Sequence, residues 1–335
     1  MLKKCVFWMT LFAFLFLTAC ASNTNTAEQG ESTSNGKPQF ELRVGLDMAK
    51  TEFISVGTMK WAELVNERTN GDVKIDVYPG GQLGGEKEMM EQTQVGTLDL
   101  IVTALTGTDL FDNFFLPFMF RDTDHMWKVL RGPIGEEFNE RFYEMTGIRV
   151  IGYSYRSPRV VTSNFPIYSP DDVIGMKIRV PEMPQYVAAW EALGASPTPM
   201  AFQEVFYGLQ QGVIDGQENP IETIYNMSFH EVQDYIILTN HVRAFHQILI
   251  NGNVWDRLPE EYQQIMVDTW NEVADEVQAA VEEQTDDLLK EIEASGVTVI
   301  EVDPEPWKEK TKDVWKQFTP QSWGEGMYER IQAVE

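Results

Sequence analysis

Phe40-Glu41-Leu42-Arg43-Val44-Gly45 reads as a strand, and the segments after it set the fold class. The pattern predicts a helix over about 54–68, closed by Asn70-Gly71, and a second strand through Val73, Ile75 and Val77. Pro79-Gly80-Gly81 breaks the chain before a helix near 86–95, and 97–104 is the next strand. This β-α-β-α-β alternation predicts an α/β protein, with a mostly parallel sheet covered by helices on both faces. The same alternation resumes at Val150-Ile151-Gly152, at 176–180, at 213–216 and at Ile236-Ile237-Leu238.

The most regular helix begins after Leu258-Pro259 and extends toward Ala294, before Gly296. Its apolar positions Ile265, Met266, Trp270, Val273, Val277 and Val281 form one buried stripe. Such a helix is too long to cap one small sheet, so it is expected to lie across two domains and brace both. The tail from Pro304, with Trp307, Trp315 and Phe318, reads as a last amphipathic helix. At 335 residues, of which 43% are hydrophobic and 23% charged, the chain has about two domains' worth of globular sequence. Its 26 basic against 52 acidic residues give a formal net charge of −26, which disfavours nucleic acid and anionic lipid surfaces as partners.

The N-terminus is of another kind. Lys3 and Lys4 precede an apolar run over 6–17 that suits the core of a signal peptide. Leu17-Thr18-Ala19-Cys20 resembles the lipobox of bacterial lipoproteins, in which the Cys is acylated and becomes the first mature residue. An uncleaved signal anchor or a buried thiol is the alternative. Cys5 and Cys20 are the only cysteines, so a chain cleaved before Cys20 has no internal disulfide. Residues 20–38, rich in Ser, Thr, Asn, Gln and Gly, read as a flexible tether. The expected protein is exported and tethered to the membrane through lipid at Cys20.

Motifs of chemistry are scarce. The sequence has no G-x-x-x-x-G-K-[ST] loop and no G-x-G-x-x-G fingerprint, and no cofactor is expected. The histidines are His125, His230, His241 and His246, in no metal-ligand spacing, so no metal is expected. His241 and His246 fall in a region that reads as strand, five apart and hence on opposite faces. No Ser sits in G-x-S-x-G, and carboxylate pairs such as Asp171-Asp172 fit a solvated acidic surface. Covalent catalysis has no visible machinery.

The stretch 159–220 is more informative. It holds Lys177-Ile178-Arg179-Val180-Pro181, then Pro197-Thr198-Pro199-Met200-Ala201-Phe202-Gln203-Glu204, then Gly212-Val213-Ile214-Asp215-Gly216-Gln217-Glu218-Asn219-Pro220. Arg179 lies in a short strand on the face opposite Ile178 and Val180, and Pro181 ends that strand at once. Its guanidinium therefore sits near a strand's carboxyl end, where open parallel sheets bind ligands. A planar guanidinium fork matches a carboxylate. Either a ligand or one of the many Asp and Glu side chains supplies that anion.

These segments resemble the extracytoplasmic solute receptors of TRAP transporters, the DctP-type binding proteins. The likeness spans nearly the whole chain after the tether and includes Tyr78-Pro79-Gly80-Gly81-Gln82-Leu83-Gly84, Gly96-Thr97-Leu98-Asp99, Leu116-Pro117-Phe118 and Thr162-Ser163-Asn164. It implies the two-domain, type II fold of periplasmic binding proteins, with hinge strands and a long bracing helix. The expected division is 39–156 plus about 245–284 in domain I, and 157–244 plus about 285–335 in domain II. It implies a receptor, not an enzyme, that closes on a small carboxylate-bearing solute, a sugar acid of hexuronate type or a relative, and delivers it to small and large membrane subunits.

By the same resemblance, Arg179 binds the ligand carboxylate, Arg159 is a second ligand-binding arginine, Asn219 reaches the ligand and Phe202 lies against it. Asp47 and Glu86 stand where members present polar groups. The residues read alone leave Phe202 open as core, and Asp47 and Glu86 open as helix N-terminal acids. Ala104 stands where sialate receptors carry an acid, and Tyr155-Arg156-Ser157-Pro158-Arg159 departs from the hexuronate pattern of Gly and an aromatic. C4-dicarboxylate and sialate receptors are the near alternatives, and an exported enzyme acting on acidic sugars is the distant one.

Overall fold

The computed structural model describes residues 37–335. The signal peptide, Cys20 and the tether as far as residue 36 lie outside the described residues. Among the described residues eleven strands, β1 (Phe40–Gly45), β2 (Val73–Tyr78), β3 (Leu100–Thr103), β4 (Ile148–Tyr155), β5 (Arg159–Ser163), β6 (Lys177–Val180), β7 (Ser196–Pro199), β8 (Gly216–Asn219), β9 (Tyr235–Val242), β10 (Phe245–Asn251) and β11 (Thr298–Glu301), form two sheets. The first has the order β2-β1-β3-β10-β4 and the second β11-β9-β5-β8-β6-β7.

The sheets are less parallel than the alternation predicts. In the first, β10 runs against both its neighbours, and in the second β5 does the same. The cause is the way the chain changes sheets. It leaves the first sheet at the carboxyl end of β4, passes through Arg156-Ser157-Pro158, and enters the second as β5, whose first residues pair with the last of β8 and β9. It returns from the carboxyl end of β9 through Arg243-Ala244 to β10, whose first residues pair with the last of β3 and β4. A strand that enters through the carboxyl edge of a sheet must run opposite to strands that end there. The two carboxyl edges are therefore the ones joined by the crossing segments. The same crossing puts His241 on β9 and His246 on β10, so they are not opposite faces of one strand as the spacing suggested.

Periodicity explains most of the rest. In β1, Leu42 and Val44 are buried while Glu41 and Arg43 are exposed. Helix α1 (Phe53–Arg68) returns the chain to β2, which lies parallel to β1. The turn at 79–84 places Gly80, Gly81 and Gly84 at φ of +69°, +69° and +119°, a region that favours glycine. It delivers helix α2 (Glu86–Val95) with Glu86 and Glu88 in its first turn, where carboxylates complement the helix dipole.

The long helix is a single one, Glu260–Ala294, about 52 Å at 1.5 Å per residue. Trp270 meets the edge of Trp61 at 5.6 Å and donates to the carbonyl of Tyr153, fixing the helix to α1 and β4. Its later part packs on helix Ile221–Asn226, which follows β8 of the second sheet. One helix thus touches the layers of both sheets.

Two expectations change. The apolar run over 213–216 is mostly turn, because Gly212 at φ +67° leads the chain out of helix Val205–Gln210 and the strand starts only at Gly216. The tail is not one helix. It is broken into Glu305–Thr311, Val314–Gln317, Thr319–Ser322 and Met327–Gln332, with Gly324 and Gly326 turning it at positive φ. Its Trp323 packs against Phe114 and Phe138 and donates to the carbonyl of Leu110 at 2.7 Å.

Candidate functional site

The carboxyl edges of the two sheets border a cleft of about 430 Å³. Asp47, just past β1, Glu86 at the head of α2, and Leu105, just past β3, line it from the first sheet's side. Arg179, Pro181 and Phe202 line it from the second. It narrows inward to a pocket of about 30 Å³, whose walls add Arg156, Arg159, Tyr186 and Asn219 while still including Glu86, Arg179 and Phe202. All six residues expected at a ligand site therefore lie on this one cleft and its inner pocket.

Arg179 is placed as the sequence predicts. Ile178 and Val180 are fully buried in the core, and the side chain between them takes the other face of β6. Nε and Nη2 both donate to the carbonyl of Met200, at 3.0 and 2.6 Å. Among the described residues no carboxylate comes within 4.0 Å of it, although the residue is only 3% exposed. Burial pushes its pKa down to about 10; the carboxylate of Glu218 offsets this in part and the Arg159 guanidinium adds to it. A buried cation without a counter-ion is costly. The ring of Phe202 lies 5.9 Å from this guanidinium and meets Phe229 edge-on at 6.0 Å.

Arg159 has its counter-ion in the chain itself. Nε and Nη2 donate to the two carboxylate oxygens of Glu218, at 2.5 and 2.7 Å, and Nη2 also reaches the Glu218 carbonyl at 2.6 Å. Burial disfavours the charge on Glu218, but the Arg159 guanidinium and the hydrogen bonds from Arg159 and His241 outweigh it and hold the carboxyl below its usual range. His241 Nε2 lies 3.2 Å from the same carboxylate, and its Nδ1 is 2.8 Å from the Thr239 hydroxyl. Glu218 is a residue that local pattern could not single out, since its partner stands 59 positions earlier.

On the opposite wall, Glu86 accepts hydrogen bonds from the Thr103 hydroxyl at 2.7 Å and from the Ala104 amide at 3.2 Å. Both carboxylate oxygens of Asp47 are buried without a hydrogen-bond partner. Burial first, and the nearby Glu86 second, raise the Asp47 pKa well above the usual carboxylate value. Asn219 donates to the side-chain carbonyl of Gln217 at 2.6 Å. The cleft and its inner pocket thus present the guanidiniums of Arg179 and Arg156, neither with a carboxylate within 4.0 Å among the described residues, together with an aromatic face, an amide and two carboxyl groups, an assembly suited to holding a small polyhydroxylated acid. Among the described residues no cluster of His, Cys, Asp and Glu could hold a metal ion.

Residues 47–321 match the model of the bacterial extracellular solute-binding protein family 7, known as DctP. The chain belongs to this family. A solute-binding protein of Roseobacter denitrificans is 36% identical over 269 residues, covering 77% of this chain and 80% of that protein. Its crystal structure, described as a TRAP periplasmic solute binding protein with bound L-galactonate, superposes with a TM-score of 0.82 over 89% of this chain and 99% of that one, at 32% identity. The 2,3-diketo-L-gulonate-binding periplasmic protein of Escherichia coli is 32% identical over 274 residues, 80% of this chain and 83% of that protein. A TRAP periplasmic solute binding protein of Xanthobacter autotrophicus with bound β-D-galacturonate superposes with a TM-score of 0.83, covering 88% of this chain and 100% of that one, at 29% identity. The fold is accordingly the two-domain, type II arrangement of TRAP receptors. The family comprises extracytoplasmic binding proteins of transport systems, not enzymes.

Proposed function

We propose that this receptor captures a small sugar acid by closing its two domains on it, with the solute carboxylate seated on Arg179. The observation that carries this reading is the buried guanidinium of Arg179, which has carbonyl but no carboxylate partners. A ligand carboxylate would supply the missing charge through two parallel charge-assisted hydrogen bonds. Phe202 would face the apolar side of the solute, and Asn219, Glu86 and Asp47 would take its hydroxyls. The relatives' solutes, L-galactonate, 2,3-diketo-L-gulonate and β-D-galacturonate, all combine one carboxylate with a hydroxylated chain or ring. Arg159, engaged with Glu218, would donate to the solute only through the part of its fork left over.

The domain division expected from the sequence gives closure a mechanism, in which 155–159 and 242–245 flex while the long helix keeps the halves together. Closure is favoured only to the extent that the solute binds the closed form more tightly than the open one. The loaded receptor would deliver its solute to the small and large TRAP membrane subunits, held near them by lipid on Cys20.

A thermal-shift panel tests the reading, with hexuronates, aldonates, ketogluconates, sialate, C4-dicarboxylates and neutral sugars added to the purified receptor. A solute at about 1,000 times its dissociation constant stabilises by about 4 kcal/mol, several degrees for domains of roughly this size. A shift with one acid class and none with its neutral analogue is the expected result. A shift of equal size with the neutral sugar would overturn it.

A further inference from the structure

The inner pocket holds a second unneutralised arginine, to which capture of a single carboxylate assigns no task. Arg156 lies in the link between β4 and β5 and is 4% exposed. Its Nη2 donates to the neutral hydroxyl of Thr223 at 3.2 Å, and its Nε is buried without a partner. Among the described residues no carboxylate lies within 4.0 Å of it. Arg156 nevertheless lines the same inner pocket as Arg179 and Asn219.

The acids around Arg156 are turned elsewhere. Glu222 accepts hydrogen bonds from the Ser157 amide and hydroxyl. Glu52 accepts one from Thr223 at 2.7 Å, while its other oxygen is buried and unpartnered, as are both oxygens of Asp47. Burial pushes Glu52 up to about 7 and raises Asp47 well above its usual value, with the Arg156 guanidinium opposing both shifts. The two free arginines also enter the cleft from different places. Arg156 comes from the link ahead of β5 and Arg179 from β6, with β8 lying between those two strands.

We propose that Arg156 receives a second anionic group of the solute, so that this receptor prefers acids with a carboxylate at each end of a hydroxylated chain, the aldaric acids, over acids with one. The inference rests on the proposed seating of the first carboxylate at Arg179. The departure of Tyr155-Arg156-Ser157-Pro158-Arg159 from the hexuronate pattern is then the trace of this specificity.

Calorimetric titration with matched pairs decides the matter: galactarate against L-galactonate, and glucarate against gluconate, which differ only in the oxidation of one end. The purified receptor is expected to bind each diacid at least tenfold more tightly than its monoacid. Arg156→Gln is expected to bring the two within about twofold by weakening the diacid, and Arg156→Lys to retain part of the preference. Monoacid binding equal to or tighter than diacid binding in the unaltered receptor would overturn the inference while leaving Arg179 as the carboxylate seat, and it needs no variant to fold. Equal weakening of both partners of a pair by Arg156→Gln would also overturn it. Failure of every acid to bind would remove the carboxylate seat itself.

Discussion

Arg159 at the head of β5 and Glu218 in β8 meet through two parallel N–H···O contacts, Nε to Oε2 at 2.5 Å and Nη2 to Oε1 at 2.7 Å, in a setting from which water is excluded. The pair ties the strand that enters the second sheet to the strand that carries Asn219. Removing one partner leaves an uncompensated buried charge, which costs about 3–5 kcal/mol. Glu218→Leu is therefore expected to lower the urea midpoint by an amount equivalent to that loss, measured by circular dichroism without solute. A change below about 1 kcal/mol would mean that the pair contributes little to the fold.

The long helix meets the first sheet at one close approach. A Cβ added to Gly152 would lie 2.2 Å from Trp270 Cδ1, whose indole is anchored to the carbonyl of Tyr153. Gly152→Ala must push the helix off β4 and is expected to cost about 1–3 kcal/mol, the usual range for overpacking. Thermal unfolding of the variant without solute checks this.

Asp112 gives a pH dependence whose sign can be worked out. Burial lifts its pKa to about 7 from the ordinary 3.8, against the opposing hydrogen bonds from the Thr106 hydroxyl and amide, with Asp109 and Glu86 adding repulsion. Between about pH 4 and 7 the folded protein then holds a proton that the unfolded chain releases. Stability from this residue is full below pH 4 and is lost as the pH rises through 7, by a few kcal/mol. Asp112→Asn is expected to flatten the fall across that window and to be more stable than the parent at pH 8. Parallel stability curves for the two proteins would contradict this.

Phe202 separates packing from recognition. It is buried against Phe229 and also faces the cleft beside Arg179. Phe202→Leu keeps most of the volume, so stability is expected to fall by less than about 1.5 kcal/mol. Affinity for the solute is expected to fall about tenfold, because the flat face is lost. Titration of the variant checks both, with unchanged affinity marking Phe202 as core alone.

How much of the site is legible in the sequence depends on how local each signal is. Pro181 ends β6 two residues after Arg179, so the edge position of that guanidinium is written within five residues. The turn glycines before Glu86 fix the start of α2 in the same way. The pairing of Arg159 with Glu218 depends on two strands 59 residues apart meeting in register, which no local pattern encodes. The inversion of β5 and β10 arises from crossings between sheets, and the apolar alternation of a strand is the same in either direction. Arg156 stands in plain view in its segment, but its lack of a counter-ion is a property of the packed protein only.

Arg179 is the residue on which solute capture most directly depends. No carboxylate among the described residues lies within 4.0 Å of its guanidinium, so Arg179→Met removes a buried charge that Glu218 offsets only in part. The measurement is a calorimetric titration of Arg179→Met with the acid that shifts the parent most, alongside the melting temperature of both proteins without solute. Affinity is expected to fall by about 2–5 kcal/mol, to the edge of detection, while the solute-free melting temperature holds or rises. Parent-like affinity in this variant would contradict the seating of the solute carboxylate on Arg179.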